Sequence, residues 1–483
     1  MTGSLSKNRS YYIHSVIFIL IMTAFWFLPP IAGITELGMK VLGVFLGVLY
    51  GWIFIGFIWP SLLGMITLGL TGYASVLEVF QAGMGDSTVV RVFFAFVFAG
   101  VLQTTKLTNY IAEWCISRKF CRGKPWRLIA VLFVASIMLG GVNLYAAIII
   151  MWAIFYGICN AVGLHKGDPV VSYMIVGITL ICGMGSMSLP FLPTSIIWRS
   201  MLQEEILTTY AAPMGTLTIV QLLLISTLTI GYFLVGRYIL RINVDALNNL
   251  TDEYFSQIEN KKMTHEKKNA AFSLIGFILL LVAPMLAPEG AVRNFFVNID
   301  VVGASALMII FFLFRRDSNG KSLYDFGKMV FDGINWDIII LFAATMPISA
   351  AMESEETGIV STVIGAVMPF FEKLSPVTFL LVVLVVFVIL TQFAHNLILG
   401  IVFTAVLAQI GIGMGISPYL FHVFTAWCFQ LAFMTPGASA QSALIFGNTA
   451  WIDVKHSYKY TTVAVLTGCA MELLVLPVML MLF

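Results

Sequence analysis

Charge is scarce in this chain of 483 residues. Asp, Glu, Lys and Arg make up only 10% of the sequence, whereas 60% is hydrophobic, and the mean hydropathy is +0.97. A typical soluble domain carries about 25% charged residues, so the composition excludes the soluble classes. The net charge of +2 gives no information about partners, and we predict no nucleic-acid binding.

Motifs of enzymes are also missing. The sequence has no Gly-rich phosphate loop and neither the GxSxG nor the HExxH motif of hydrolases. GMGD at residues 83–86 has the letters of an intramembrane protease signature, but no second mid-membrane Asp precedes Asp86 to complete a dyad. The six cysteines show no CxxC spacing, so we interpret them as small buried residues, not as metal ligands. We predict that the protein is not an enzyme.

Apolar runs that are long enough to cross a bilayer recur along the whole chain. A run of about 18 or more apolar residues is typical of a transmembrane helix. We predict an all-α polytopic membrane protein with about 11 transmembrane helices. The first run, residues 11–29, ends in two prolines without a small-residue cleavage site, so we interpret it as a retained helix and not as a signal peptide.

Two apolar stretches are too long for a single span. Residues 128–163 and 376–412 each contain a lone Asn in an irregular centre, Asn143 and Asn396. Irregular backbone at membrane depth occurs only where protein or a water-filled cavity satisfies it. We therefore predict two re-entrant hairpins, with a pair of full spans as the alternative.

Each predicted hairpin is followed by a helix that Gly and Pro interrupt. The first covers residues 169–200 and contains GMGSMSLPFLPTS; the second covers residues 416–450 and contains TPGASAQ. Paired interrupted segments at matching places in two halves of a membrane protein indicate a transport site. We predict two repeats joined by a linker. The boundaries are 1–37 for an N-terminal segment with helix 1, 38–236 and 270–483 for the repeats, and 237–269 for the linker.

Basic residues cluster in two loops. RKFCRGKPWR at residues 118–127 is one, and residues 237–269 are the other. The positive-inside rule makes both cytoplasmic, which is consistent only if each hairpin returns to the side that it entered. The two repeats are then inverted, with the N-terminus in the cytoplasm and the C-terminus outside. This arrangement suits a bacterial inner membrane.

Hairpin tips and helix breaks end helices in the middle of the membrane. Their free N–H groups suit an anion, and their free carbonyls suit a cation such as Na⁺. Asn143 and Asn396 each supply an amide donor and a carbonyl acceptor, so each can bridge ion and substrate; a helix-packing hydrogen bond is the alternative. His395 is either a proton-coupling or anion-binding group, or a neutral imidazole bonded to a backbone carbonyl.

Two other polar residues lie in or near these segments. Gln441 in the second broken helix faces either the same cavity or the protein interior. Glu472 lies within the last apolar run and needs a partner, for which Arg91 or Arg199 is the candidate.

Three segments of the second half occur in a recognisable order: INWDIIILFAATMPISAAMESEETG, TQFAHNLILGIVFTAVL and LAFMTPGASAQSALIFG. They resemble the divalent anion/sodium symporter (DASS, INDY-type) family of the ion transporter superfamily, and SIMLGGVNLYAA and GMGSMSLPFLP look like inverted counterparts. The resemblance covers about residues 30–480. It implies an elevator-type secondary transporter, a homodimer in the lipid bilayer, that moves small anions (di- or tricarboxylates, or sulfate) with Na⁺.

The resemblance also implies site residues. In the family, two Ser-Asn-Thr hairpin tips hold substrate carboxylates and help to build two sodium sites. Here both asparagines remain, but apolar residues and His395 replace the hydroxyl-bearing neighbours. Each lost donor costs roughly 1–3 kcal/mol if an anion then goes unsatisfied. The candidate substrate-binding residues are Asn143, Asn396, His395, Ser439, Pro190 and Ala440, and the candidate Na⁺ ligands are Thr391, Ala394, Asn396, Ala438 and Asn143.

Two alternatives remain open. One is coupling to protons, or exchange, in a transporter of a different anion. The other is a sensor that is derived from this family and no longer transports. Because the bulky Phe191 and Leu192 narrow the first break, we expect the better sodium site in the second half.

Overall fold

The computed structural model of the protein is all-helical over the residues that it describes, apart from one isolated β-bridge between Arg316 and Ser322. Nine of the described helices are long and apolar enough to cross a membrane. The predicted all-α membrane fold is therefore confirmed, whereas the number of about 11 spans stays a prediction. The described residues are 2–31, 33–116, 123–202, 204–210, 212–250, 263–288, 290–316, 320, 322–359, 361–362, 365, 369, 373–393 and 395–483.

The helices are numbered in chain order. The first half contains α1 (Thr2–Ala24), α2 (Glu36–Phe54), α3 (Ile58–Leu70), α4 (Val76–Met84), α5 (Ser87–Thr104), α6 (Leu107–Ile116), α7 (Pro125–Gly140), α8 (Leu144–Val162), α9 (Pro169–Gly185), α10 (Pro193–Arg199), α11 (Glu204–Thr209) and α12 (Met214–Leu234). The second half contains α13 (His265–Leu286), α14 (Ala291–Leu313), α15 (Phe326–Gly333), α16 (Trp336–Glu353), α17 (Pro376–Leu390), α18 (Asn396–Gly413), α19 (Pro418–Gln430), α20 (Ala440–Gly447) and α21 (Val454–Leu482).

Local sequence sets several helix ends. Ser75 caps α4 with its hydroxyl, and Glu78 returns a bond to the Ser75 amide, so the pair forms a capping box. Pro125 and Pro169 open α7 and α9, where the missing N–H would have no helical partner in any case. Gly163 ends α8 with φ +73, a left-handed conformation that glycine adopts without strain.

The predicted interruptions are present. The first hairpin stretch consists of α7 and α8, and the second of α17 and α18. The first broken helix consists of α9 and α10, and the second of α19 and α20. The re-entrant course of the hairpins and the inverted repeats stay predictions.

Several predicted boundaries are corrected. We expected an outside loop with Glu204 and Glu205 after the first broken helix, and the structure has the short helix α11 there. Helix α13 begins at His265 because the Thr264 hydroxyl accepts the Lys267 N–H and so caps a polar first turn that hydropathy alone misses. Helix α14 begins at Ala291, before residue 299, where we expected the helix to begin; a kink at Asp300 (φ +50) separates its two parts.

The break in the second broken helix spans residues 431–439, whereas the Pro and Gly of the sequence led us to expect it near Pro436–Gln441. Most of the short helix predicted over residues 358–373, and much of both basic loops, lies outside the described residues.

The chain forms two compact units. Unit 1 contains Met1–Phe93, Ile334–Val382 and Ile398–Pro418. Within it, α16 packs against α2, α3 and α4. Gly83 of α4 allows the closest approach, because a Cβ there would lie 2.0 Å from the carbonyl oxygen of Ala343.

Unit 2 contains Phe94–Gly333, Val383–Leu397 and Tyr419–Phe483. Its centre is α9, in which every residue from Val170 to Gly185 is buried. Tyr173 of α9 stacks on Tyr232 of α12 at 4.8 Å between ring centroids, and each hydroxyl donates to the other residue's backbone carbonyl. Unit 2 therefore includes the first hairpin and the first broken helix. It also includes the tip of the second hairpin and the second broken helix from Tyr419 onward.

Candidate functional site

The side chain of Gln392 fills the break in the second broken helix. Its Nε2 donates to the carbonyls of Val388 (2.7 Å) and Leu431 (2.9 Å). Its Oε1 accepts the backbone N–H groups of Phe433 (3.1 Å) and Met434 (2.8 Å). One buried amide thus satisfies backbone groups that a helix break would leave without partners in a membrane interior.

Two further bonds fasten the second hairpin tip to the same break. The Thr391 hydroxyl donates to the Phe429 carbonyl at 3.2 Å. The backbone N–H of Asn396 donates to the Ala438 carbonyl at 3.0 Å. Two candidate Na⁺ ligands, Asn396 and Ala438, are therefore in direct contact, and a third, Thr391, bonds to Phe429 at the start of the same break; Ala394 lies outside the described residues.

The Asn396 side chain connects the second tip to the first break through Gln430. Asn396 Nδ2 donates to Gln430 Oε1 at 3.4 Å, and Gln430 Nε2 donates to the Gly183 carbonyl at 3.4 Å. Asn396 Oδ1 accepts the N–H of Leu397 at 2.9 Å. Both amide residues are buried. We call this chain of bonds, from Asn396 through Gln430 to Gly183, the amide bridge.

Gln441 lies beside the amide bridge. A Cβ on Gly183 would be only 2.7 Å from Gln441 Oε1, so the two residues are in direct contact. The Gln441 side chain is buried, and its Oε1 accepts no hydrogen bond from any described residue. Of our two interpretations, this position favours the one in which Gln441 belongs to the candidate site.

Ser439 and Ala440 begin the last helix of this region. The Ser439 hydroxyl accepts the Ser442 N–H at 3.1 Å as the cap of α20 and donates to the Ala432 carbonyl at 2.7 Å. Ser439 is therefore a structural cap first, and its role in substrate binding stays a prediction. Ala440 is exposed, whereas Pro190, the candidate in the first break, is buried.

The first hairpin tip is built differently. The Asn143 side chain caps α8 by accepting the Ala146 N–H at 3.1 Å, and this is the one side-chain hydrogen bond that it makes with a described residue. The tip approaches the first break through backbone contact, because a Cβ on Gly140 would lie 2.4 Å from the Cys182 carbonyl oxygen. Gly141 lies against the side chain of Leu192. Its local contacts match the structural interpretation of Asn143 better than the ion-binding one.

His395 immediately precedes α18 and is half-buried. Its adjacency to Asn396 places it at the tip, as predicted. Whether it couples protons, binds an anion or only packs stays a prediction.

Glu472 departs from its predicted pairing. We expected an arginine partner, but among the described residues the structure gives the carboxyl a thiol: Cys428 Sγ donates to Glu472 Oε1 at 3.6 Å. The free thiols of Cys159, Cys182 and Cys428 are buried, as predicted, whereas that of Cys469 is half-buried.

Two functional candidates were missed from the sequence, Gln392 and Gln430. Each is a lone amide inside an apolar run, LTQF and CFQL, which is the same signal that drew attention to the two asparagines. Their importance comes from partners that lie up to 247 positions away.

The oxygens at the second tip suit Na⁺ chemically. Thr391 Oγ1 donates one bond and keeps its lone pairs, and the Ala438 carbonyl keeps one lone pair beyond the bond from Asn396. Unwound carbonyls and hydroxyls of this kind hold Na⁺ in transporters with broken helices. Among the described residues, no group of three or more His, Cys, Asp or Glu side chains is placed to hold a metal ion.

A cavity of about 440 Å³ lies elsewhere in unit 2, between α8 and α20. Trp152, Tyr156, Leu444 and Asn448 line it, and Asn448 donates to the Tyr156 hydroxyl. None of the predicted site residues contributes to its lining.

A family model described as a citrate transporter matches residues 41–426 of the 483. The chain belongs to the citrate transporter family. This match and the cotransporter relatives below confirm the predicted membership of the divalent anion/sodium symporters within the ion transporter superfamily. They also confirm the prediction of an integral membrane transporter family rather than an enzyme family.

The relatives are named for sodium-dependent dicarboxylate transport. The Na(+)/dicarboxylate cotransporter 3 of Rattus norvegicus is 26% identical over 245 residues, which cover 48% of this chain and 39% of the relative. The sodium-dependent dicarboxylate transporter SdcS of Staphylococcus saprophyticus is 24% identical over 202 residues, covering 40% and 36% respectively. The chain thus matches less than two-fifths of the length of these curated relatives.

Two solved structures share the fold. The Alcanivorax borkumensis YdaH transporter has a TM-score of 0.58 at 12% identity, over 83% of this chain and 87% of that one. Neisseria gonorrhoeae MtrF, described as an antimetabolite efflux pump, has a TM-score of 0.54 at 12% identity, over 93% and 96%. At this identity the similarity shows a common fold only.

Proposed function

We propose that the protein is an elevator-type secondary transporter that carries small carboxylate anions across a membrane together with Na⁺. The observation that carries the proposal is the junction of the second hairpin tip with the second break. There the Asn396 N–H donates to the Ala438 carbonyl, and the Thr391 hydroxyl donates to the Phe429 carbonyl, 38 positions ahead. Relatives named as dicarboxylate cotransporters support the choice of substrate class.

The anion would bind where helices begin inside the membrane. Asn396 opens α18 and Ser439 caps α20, so both sit at a helix N-terminus with free N–H groups and the positive end of the helix dipole. The amides of Asn396, Gln430 and Gln441 would replace the hydroxyl donors that this chain lacks. We include His395, Pro190 and Ala440 in the proposed substrate site on the family resemblance alone.

The cation would bind on the other side of the second tip, to oxygen ligands. We propose Thr391, Asn396, Ala438 and Ala394 for this site. Asn143 would contribute to a second site in the first half, which its single local bond makes the weaker of the two. Sulfate transport, coupling to protons in place of Na⁺, and anion exchange are the alternatives to this Na⁺-coupled carboxylate symport.

Unit 2 would be the moving part of the elevator, because it contains the first hairpin, both breaks and the second tip. Unit 1 would form the static scaffold and the homodimer contact. We further propose a bacterial inner membrane with the C-terminus outside. Lys166 Nζ and Asp453 Oδ1 approach to 3.4 Å, so these two loops lie on one side of the membrane, as the predicted topology requires.

The test measures thermal stability of the purified protein with citrate, succinate and sulfate, each in Na⁺ and in choline. A ligand at about 100 times its dissociation constant adds roughly 2.7 kcal/mol to the free energy of unfolding. Stabilisation by a carboxylate only in Na⁺ supports the symporter. Equal stabilisation in choline contradicts Na⁺ coupling.

Uptake into proteoliposomes then separates a transporter from a sensor. A Na⁺ gradient should drive accumulation of the anion that stabilises the protein. Binding without uptake under any gradient would contradict transport and favour the family-derived sensor.

A further inference from the structure

Glu472 is a carboxyl group buried in a helix that crosses the membrane. Its side chain is 1% exposed, and it lies in α21 of unit 2, one of the nine candidate spans. Ionisable groups in such positions are rare and functional by default, because an isolated charge there is expensive. The transport site proposed above makes no use of this residue.

The contacts of Glu472 suit an uncharged acid. Oε1 accepts the weak donor Cys428 Sγ at 3.6 Å, and Oε2 has no hydrogen-bond partner among the described residues. A carboxylate needs cations or several strong donors when it is buried, and a single thiol supplies neither. A protonated carboxyl carries its own hydrogen and needs less.

The titratable groups beside Glu472 are thiols. Cys428 comes from α19, and Cys469 lies one turn earlier on α21. The helices α9 and α12, which pack against α21, carry Tyr173 and Tyr232, but these phenols lie beside Tyr460, roughly 18 Å along α21 from Glu472, and are occupied by their mutual hydrogen bonds. All are uncharged near neutral pH, so none of these groups would compensate a carboxylate.

Cys428 links this acid to the second tip. The next two residues along α19 are Phe429, whose carbonyl accepts the Thr391 hydroxyl, and Gln430, which holds Asn396 and Gly183. A change of charge at Glu472 therefore acts on the end of α19 from which the tip is held. The acid and the tip lie in the same unit.

We propose that Glu472 is a proton-binding residue whose protonation is linked to the second hairpin tip, and that it carries a proton through the transport cycle. This inference rests on the proposed function and deepens it. The buried state described here is the protonated one: the carboxyl takes up H⁺ when it is open to water on one side and releases it on the other. No other bond is made or broken.

Infrared difference spectroscopy tests proton binding without any transport. The carbonyl stretch of a protonated acid is recorded while the pH of the reconstituted wild type is varied. We expect a titrating band that is lost in Glu472→Gln and kept in Glu266→Gln, a control at an exposed carboxyl in the first turn of α13. A band unchanged in Glu472→Gln, or no band in the folded wild type, would overturn the inference.

Uptake of radiolabelled citrate and succinate into proteoliposomes tests the link to transport, with the membrane potential held at zero. An inward proton gradient should raise accumulation in the wild type about tenfold per pH unit for one proton per anion. Glu472→Gln should lose this response but keep anion exchange without a gradient, since the amide resembles the neutral acid. Glu472→Asp should retain part of the response to the proton gradient.

The outcomes separate the two proposals. If the wild type moves neither anion, transport of these substrates fails, and the infrared titration still decides whether Glu472 binds a proton. If the wild type takes up the anion but does not respond to the proton gradient, the inference is overturned. It is also overturned if the response survives in Glu472→Gln and disappears in His395→Ser. Unfolding temperatures of all variants show whether each is folded. If Glu472→Gln does not fold, the comparison is made with Glu472→Asp.

Discussion

The two tip-and-break regions follow one plan but are held together by different forces. In the first, Gly140 and Gly185 let α7 and α9 touch backbone to backbone, and the Asn143 side chain bonds only within its own helix. In the second, Gln392 and the amide bridge hold tip and break by hydrogen bonds. Where backbones pack directly against each other, the contact is dry and fixed. Where amide side chains make the contact, they present hydrogen-bond donors and acceptors that an ion or substrate can use. The difference explains why the second half is the stronger candidate for ion binding.

The largest effect is expected at Gln392. Gln392→Leu leaves two N–H groups and two carbonyls without this partner in a buried place, so the free energy of unfolding should fall by about 3 kcal/mol or more. Thermal unfolding in detergent measures it. Gln81→Leu, at an exposed position of α4, is the matched control and should change little. Equal stability of the two variants would contradict the role of hydrogen bonds in the second region.

Gly140→Ala tests the steric closure of the first region. The new methyl group would meet the Cys182 carbonyl oxygen at 2.4 Å, so α7 and α9 must separate, at about 1–3 kcal/mol. Gly215→Ala is the control, because no atom lies within 4 Å of the added carbon. A wild-type unfolding temperature for Gly140→Ala would contradict close backbone packing as the force that holds the first region together.

The two asparagines separate function from stability. Asn396→Ala removes a long bond to Gln430 and a local bond from the Leu397 N–H, together about 1–2 kcal/mol, yet should abolish citrate or succinate uptake. Asn143→Ala removes a helix cap of similar value and should reduce uptake only partly. Wild-type uptake by a folded Asn396→Ala protein would remove the second tip from the site. Equal losses in both variants would mean that the regions contribute alike.

The smallest effect is expected at His395, which has no counterpart in the first tip. If it titrates during transport, the pH profile of uptake has an inflection that His395→Ser removes. Uptake rates measured across the pH range in both proteins decide this. Superimposable profiles would leave His395 a packing residue.

Much of the helical plan was readable from the sequence. The hairpin arms and the first broken helix lie within a few residues of their predicted bounds, because hydropathy, Gly and Pro act locally. The starts of α13 and α14 were missed, since a capped polar first turn and a kink at Asp300 leave no apolar signal. Of the predicted Na⁺ ligands, Asn396 and Ala438 are in contact and Thr391 bonds to Phe429, but their role stays a prediction, and Gln392 and Gln430 went unnoticed beside them.

The sequence by itself determined that this chain is a helical membrane protein with paired hairpins and breaks. Burial in lipid requires long apolar runs, and every interruption of a helix there has an energetic cost. Only the tertiary structure decided which polar residue satisfies which break. Gln392 reaches backbone 39–42 positions ahead, Gln430 reaches Gly183 across 247, and Glu472 meets Cys428 across 44. A hydrogen bond depends on a partner within about 3 Å, and no local pattern specifies a partner that the fold brings from elsewhere in the chain.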